Sequence, residues 1–285
     1  MISRIPGAIV RAIMVVLLIA TPSLLLPSMN PDGKQIVALV SIFAAALVIF
    51  EYASAYPGLV EFRDAPPFNR IRFVSLFVTV FLLTLILRGQ VEPTALTDFV
   101  TAIGALIGFA IDFPYSPVRL VLLMLPEDTS QTHVIMVRTA AGMSYLISLL
   151  SLAIFLIVLR LRRWPTAHGT FNVWINLPTF DPTAGKDVVR RLERDARVNI
   201  ALGFLLPFIT PAAVQAASFL FGSVTLTNPQ TLIWTVTAWA FLPASLFMRG
   251  IAMGRIAQMI AAKRDLAYAK AQAEADDDTS AHAPS

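Results

Sequence analysis

Asp112 and Arg119 are the residues of this chain whose types and spacing could do chemistry: an acid and a base seven positions apart, within the apolar stretch Phe99 to Leu125. An ionised carboxylate placed in hydrocarbon costs about 2.5–3.5 kcal/mol on insertion scales, so Asp112 must either hold a proton or find a partner. One reading makes it a proton or cation site. The other makes it a structural group, paired with Arg119 or capping the turn that follows. A second locus is NIALGFLLPFITPAAVQAASFLFG, where Pro207 and Pro211 each delete a helical hydrogen bond and free the carbonyls of Gly203 and Pro207. Carbonyls freed at mid-membrane depth are how many transporters make ion sites, and Thr210 and Gln215 would add oxygens there. No second proline-interrupted segment stands in a matching half, which weakens the comparison with transporter repeats.

Beyond these two loci the chemistry is sparse. The chain has no H-E-x-x-H, no G-x-S-x-G, no P-loop and no G-x-G-x-x-G. It has no cysteine, which excludes disulfides, thiolate chemistry and cysteine-ligated metals. The three histidines, His133, His168 and His282, fall in expected loops or the tail and form no pair able to ligate haem. No catalytic residue, metal site or cofactor is therefore expected, and the chain reads as a non-enzyme.

The elements that must position these residues are membrane helices. Of 285 residues 56% are hydrophobic and 14% charged, with a mean hydropathy of +0.71, whereas soluble domains carry about 25% charge. Six segments are apolar for the length a hydrocarbon core requires: Ala8 to Leu26, Ile36 to Ala55, Phe73 to Leu87, Thr139 to Leu159, Val198 to Gly222 and Gln230 to Met248. The first reads as a retained helix and not a cleaved signal, because Arg11 interrupts it and no A-x-A site follows. The stretch from Phe99 to Leu125 would be about 40 Å long as one helix. Pro114 and Pro117 break it into halves of roughly 20 and 13 Å, each too short to cross.

Charge decides between the topologies, because positive loops stay in the cytoplasm. Six spans with both termini inside put 18 of the 22 lysines and arginines on the cytoplasmic side; seven spans put 15 there. The expected fold is accordingly all-α, a polytopic transmembrane bundle of six spans plus a re-entrant or broken segment near residues 99–125, with seven spans as the alternative. Residues 1–159 hold the first four spans and that segment. Residues 160–197 form a cytoplasmic loop with a short amphipathic helix, 198–249 the last two spans, 250–275 a cytoplasmic helix and 276–285 a disordered tail. The expected location is a bacterial inner membrane. The net charge of +4 belongs to these flanking arginines and not to a nucleic-acid surface.

Three further patterns bear on partners. Gly104 with Gly108, and Gly250 with Gly254, are small-xxx-small pairs that let another helix approach closely. FNVWINLPTFD, Phe171 to Asp181, alternates with period two and reads as an extended strand docked on the helices or anchored at the headgroups by Trp164 and Trp174. The charged segment after it, with Asp187 and Arg191 four apart, reads as a solvated helix running into the fifth span. Together these suggest a scaffold or accessory subunit that meets the lipid bilayer and a membrane-protein partner or a second copy of itself. A small-solute or proton-coupled transporter using Asp112, Arg119, Thr210 and Gln215 is the alternative.

Overall fold

The computed structural model describes residues 4–27, 31–162, 164 and 165, 171–181, 187–221 and 226–281. Nine helices and no strand occur among them: α1 (Ile5–Leu25), α2 (Pro31–Ala53), α3 (Phe68–Gly89), α4 (Ala95–Ile111), α5 (Pro117–Leu122), α6 (Gln131–Leu161), α7 (Val173–Asn176), α8 (Val188–Phe221) and α9 (Pro229–Ala281). Helices α1, α2, α3, α6, α8 and α9 are each long and apolar enough to cross a membrane. The shortest, α1 with 21 residues, is about 31 Å long, close to the hydrocarbon thickness. The protein is a multi-pass integral membrane protein.

Local chemistry sets the helix ends. Proline opens α1, α2, α5 and α9, where its missing N–H costs nothing. Thr94 and Thr97 form a reciprocal cap at the start of α4. The hydroxyls of Ser116 and Ser130 accept from the amides of Arg119 and His133 at the starts of α5 and α6. His133 therefore stands in the first turn of a helix and not in a loop; His168 and His282 lie outside the described residues.

The break between α4 and α5 falls at the expected residues. Asp112 ends α4, and the Ser116 amide donates to the Phe113 carbonyl at 3.0 Å. Pro114 and Tyr115 occupy the two central positions, and Tyr115 takes the positive φ of 65° that a type II turn requires of its third residue. The halves are unequal, 17 residues and 6, because the Thr94 cap starts α4 earlier than hydropathy alone suggests.

Two apolar clusters occupy the two ends of the bundle. One joins Leu83, Ile86, Val100, Val118, Val137 and Leu232, and so packs α3, α4, α5, α6 and the start of α9. The other joins Phe62, Phe68, Phe155, Leu177, Leu192 and Met253, packing the loops against α3, α6, α8 and α9. We call this the loop end. Helix α2 stands at the edge, with α1 as its main neighbour and only Ser41 and Glu51 buried.

Two loop expectations change. The segment from Phe171 to Asp181 is not a strand: Asn172 accepts from the Ile175 amide, and residues 173–176 close one helical turn. The period-two pattern arises because Phe171 and Leu177 dock inward while Trp174 stays 55% exposed. The tail helix α9 continues as far as Ala281, past the point where a disordered tail is expected. The helix is already nucleated by the span and propagates into these residues, so no new nucleus is needed. Lys270 and Glu274 form an ion pair within it at 3.7 Å.

Candidate functional site

Asp112 is drawn into a knot of charge in the half of the bundle away from the loop end. Its side chain is 5% exposed, with Arg119 Nε of α5 at 2.7 Å from Oδ1 and Arg138 Nη1 of α6 at 3.6 Å from Oδ2. The Arg119 contact is an ion pair by distance but is not aligned as a hydrogen bond, since Oδ1 has no hydrogen-bond partner. Arg119 Nη2 also donates to the Asp112 carbonyl at 3.4 Å. The Arg138 guanidinium lies 5.8 Å from the Phe109 ring centroid, a second place to rest its charge. Sequence spacing pointed to Arg119. It gave no hint of Arg138, 26 positions away in the chain.

What brings α6 to Asp112 is close helix approach. A methyl on Gly108 would stand 2.7 Å from the Arg138 carbonyl, and one on Gly104 would stand 2.8 Å from the Thr139 methyl. The pair on α4 is thus consumed inside the bundle, with Gly142 of α6 as its unforeseen counterpart. At Gly250 a methyl would meet the Ala196 carbonyl at 2.6 Å, whereas Gly254 has only an ordinary 3.8 Å contact. Of the second pair, one glycine alone is needed for α9 to pack on α8.

Thr210 and Gln215 do not join the Asp112 knot. Both are exposed on α8, and no hydrogen bond or ion pair links either to Asp112. The helix runs unbroken through both prolines. The carbonyl of Pro207, which Pro211 frees, accepts the Trp239 indole N–H at 3.0 Å in a buried setting. The freed acceptor is used by the protein itself.

The loop end holds what sequence reasoning missed. A cavity of about 1250 Å³ opens between α1, α2 and α3, with Arg11, Tyr52, Arg63, Arg70 and Arg72 in its wall beside Val10, Met14, Val48 and Phe73. Its rim is built around Glu51, 2% exposed, whose carboxylate accepts the amides of Gly58, Leu59 and Val60 at 3.0–3.1 Å. Arg63 donates to the carbonyls of Glu51 and Ser54 at 2.8 and 2.7 Å and pairs with Asp64. Arg70, by contrast, makes no side-chain hydrogen bond or ion pair among the described residues. The clue was present: three arginines and two acids within Glu61 to Arg72, counted only as an orientation signal.

The same end is stitched together across elements. Glu61 accepts from Nε and Nη2 of Arg249 on α9 at 2.6 and 2.8 Å, and from the Thr179 hydroxyl at 2.9 Å. The Asn176 backbone and side chain accept the amides of Phe62 and Asp64. Arg264 of α9 reaches Asp187 at 3.1 Å, and Arg191 stacks 4.6 Å from the Phe180 ring. The Arg264 hydrogen bond, then the Val189 amide, hold the Asp187 carboxyl below the ordinary aspartate range. No group of three or more potential metal ligands occurs among the described residues.

Compared with known protein families, with characterised proteins and with solved structures, the chain matches none.

Proposed function

We propose that this is a non-enzymatic scaffold or accessory subunit of a membrane complex in a bacterial inner membrane, with both termini in the cytoplasm and the loop end as the face a partner meets. The observation that carries this reading is the cross-linked loop end, where Glu61, Arg249 and Thr179 tie three separate parts of the chain into one surface. That surface presents Tyr56, Leu59 and Trp174 at 75%, 65% and 55% exposure. A fixed surface with projecting aromatic residues meets a partner without the cost of first ordering a loop. The small-residue pair on α4 is occupied within the bundle, so the partner contact is assigned to the loop end and not to those helix faces. Transport is the weaker reading, because Asp112 is held between two arginines and the cavity wall includes neither Asp112 nor Thr210.

The re-entrant reading of residues 99–125 rests on neighbours. Gly89 at the end of α3 lies against Thr97 and Thr101 of α4, and α5 packs on α6 close to the start of that helix. In the six-span topology both connections lie outside.

The test is co-purification of the tagged chain from its native membranes. Wild type should run with a partner, Glu61→Gln should lose it, and Asp112→Asn should keep it. A chain that runs alone in all three forms, with proton flux into vesicles that Asp112→Asn abolishes, would replace the scaffold by a transporter. Topology is read separately from single cysteines at Glu92, Asp128 and Trp174 with a membrane-impermeant thiol reagent. Outside labelling at the first two and not the third is expected. Silence at Asp128 with labelling at Glu92 would sink the re-entrant segment.

A further inference from the structure

We infer that the cavity between α1, α2 and α3 is a binding site for the phosphate headgroup of an anionic phospholipid. The inference stands apart from the scaffold reading and rests on how the charges in the wall are spent. Of the two acids there, Glu61 is engaged by Arg249 and Asp64 by Arg63. Arg63 is itself sealed at 1% side-chain exposure and tied to three carbonyls. Arg11, Arg70 and Arg72 remain, three guanidiniums around one cavity with no carboxylate at ion-pair distance among the described residues.

Their geometry leaves donors over. Arg11 gives one N–H to the Gly7 carbonyl and rests 4.6 Å from the Tyr52 ring centroid. Arg72 gives Nη1 to Asn69 at 3.4 Å and lies 5.1 Å from the Phe68 ring; its Nε is sealed without an acceptor, and its Nη2 makes no hydrogen bond. Arg70 is exposed and unpartnered. Of the three, Arg72 alone is partly buried and Arg11 and Arg70 are exposed; cations gathered at one cavity repel one another, and an oxyanion set among them offsets that repulsion while forming charge-assisted, often paired, hydrogen bonds.

The rest of the cavity selects the kind of anion. Its wall along α1 runs from Pro6 and Gly7 through Val10 and Arg11 to Met14 and Val15, a length of about 14 Å at 1.5 Å per residue. Apart from Arg11 that strip, with Val48, Phe73 and Val74, is apolar and leads from the arginines into the membrane-spanning part of the bundle. About 1250 Å³ far exceeds what an inorganic phosphate fills. A charged end joined to an apolar strip fits a molecule with a phosphate head and an acyl chain, and basic pockets between transmembrane helices are where such heads are held. Helix α2 packs mainly on α1 and not on α3, which leaves the cavity open between α2 and α3.

The experiment is native mass spectrometry of the full chain released from nanodiscs of phosphatidylglycerol and phosphatidylcholine in equal parts. Wild type should retain one phosphatidylglycerol in preference to phosphatidylcholine. Arg70→Gln with Arg72→Gln should lower that preference about thirtyfold, at roughly one basic residue's headgroup attraction each. Arg255→Gln, the same single charge change as Arg70→Gln but at an exposed site outside the cavity wall, should leave it intact. Should the double variant fail to fold, Arg70→Gln alone, which removes no contact within the fold, should still lower it about fivefold. Equal retention of the two lipids by wild type, or an equal loss in Arg255→Gln, would overturn the site. Displacement of the lipid by a few millimolar inorganic phosphate would reassign it to a soluble anion and overturn the lipid assignment.

Discussion

Glu51 shows how a carboxylate survives near the end of an apolar helix. It binds no cation directly; three consecutive amides of the 58–60 turn supply its hydrogen bonds, and its own carbonyl holds Arg63. Glu51→Ala strands those amides, at roughly 1–3 kcal/mol for each one left buried. Asp64→Ala removes an ion pair whose acid is 46% exposed, and should cost less than about 1 kcal/mol. Thermal unfolding in detergent should therefore separate the two variants clearly, and equal melting temperatures would count against the capping role. Asp112 behaves differently, since it balances two cations. Asp112→Asn should destabilise by about 1–3 kcal/mol, a figure reduced because Arg119 is 44% exposed. Adding Arg138→Gln should recover part of that loss, and strictly additive effects in the double-mutant cycle would mean Arg138 is no partner. Of these two carboxylates, Asp112 stands out in the sequence and finds its partner there, because Arg119 lies on the same local turn. Amides from a later turn carry no side-chain signature.

At the scale of elements, hydropathy and proline made the six long helices and the α4–α5 break legible, because each is dictated by local chain chemistry. The docked segment from Phe171 to Asp181 was misread for the converse reason. Its alternation is imposed by the surface it covers, where Phe171 and Leu177 meet the loop-end cluster. The small-residue pairs were visible as patterns, but which glycine matters depends on what faces it. Gly108→Ala would drive a methyl into the Arg138 backbone carbonyl, which cannot rotate away, and should cost more than about 2 kcal/mol. Gly254→Ala should be neutral or stabilising by up to about 1 kcal/mol, through helix propensity alone. Chemical denaturation of the two variants checks this, and a costly Gly254→Ala would show that the face of α9 is packed more tightly than described.

For the whole molecule, the Asp187 to Arg264 tie joins the start of α8 to the far part of α9. A carboxyl whose folded pKa is depressed contributes its stability above the unfolded value and loses it as pH falls through the folded one. Since Asp187 lies below the ordinary aspartate range, the tie should persist from neutrality through about pH 4 and open only beneath that. Spin labels on cysteines at Arg190 and Tyr268 should report a narrow distance distribution until that point. Broadening already between pH 5 and 6 would rule the carboxylate out as the fastening. The cavity was the least legible part of the molecule, because it is assembled from Arg11 on α1 and Arg70 and Arg72 on α3, which no sequence window spans.

Helix α9 is unbroken from Pro229 to Ala281, so membrane and solvent parts form one lever. From Arg249, where Glu61 grips it, to Glu274 the arm is about 38 Å long. A tilt of roughly 10° over that length displaces Glu274 by about 7 Å. A change in lean among the spans is thereby carried beyond the bundle, as along a lever, with the Asp187 to Arg264 pair as the last described tie between that arm and another element.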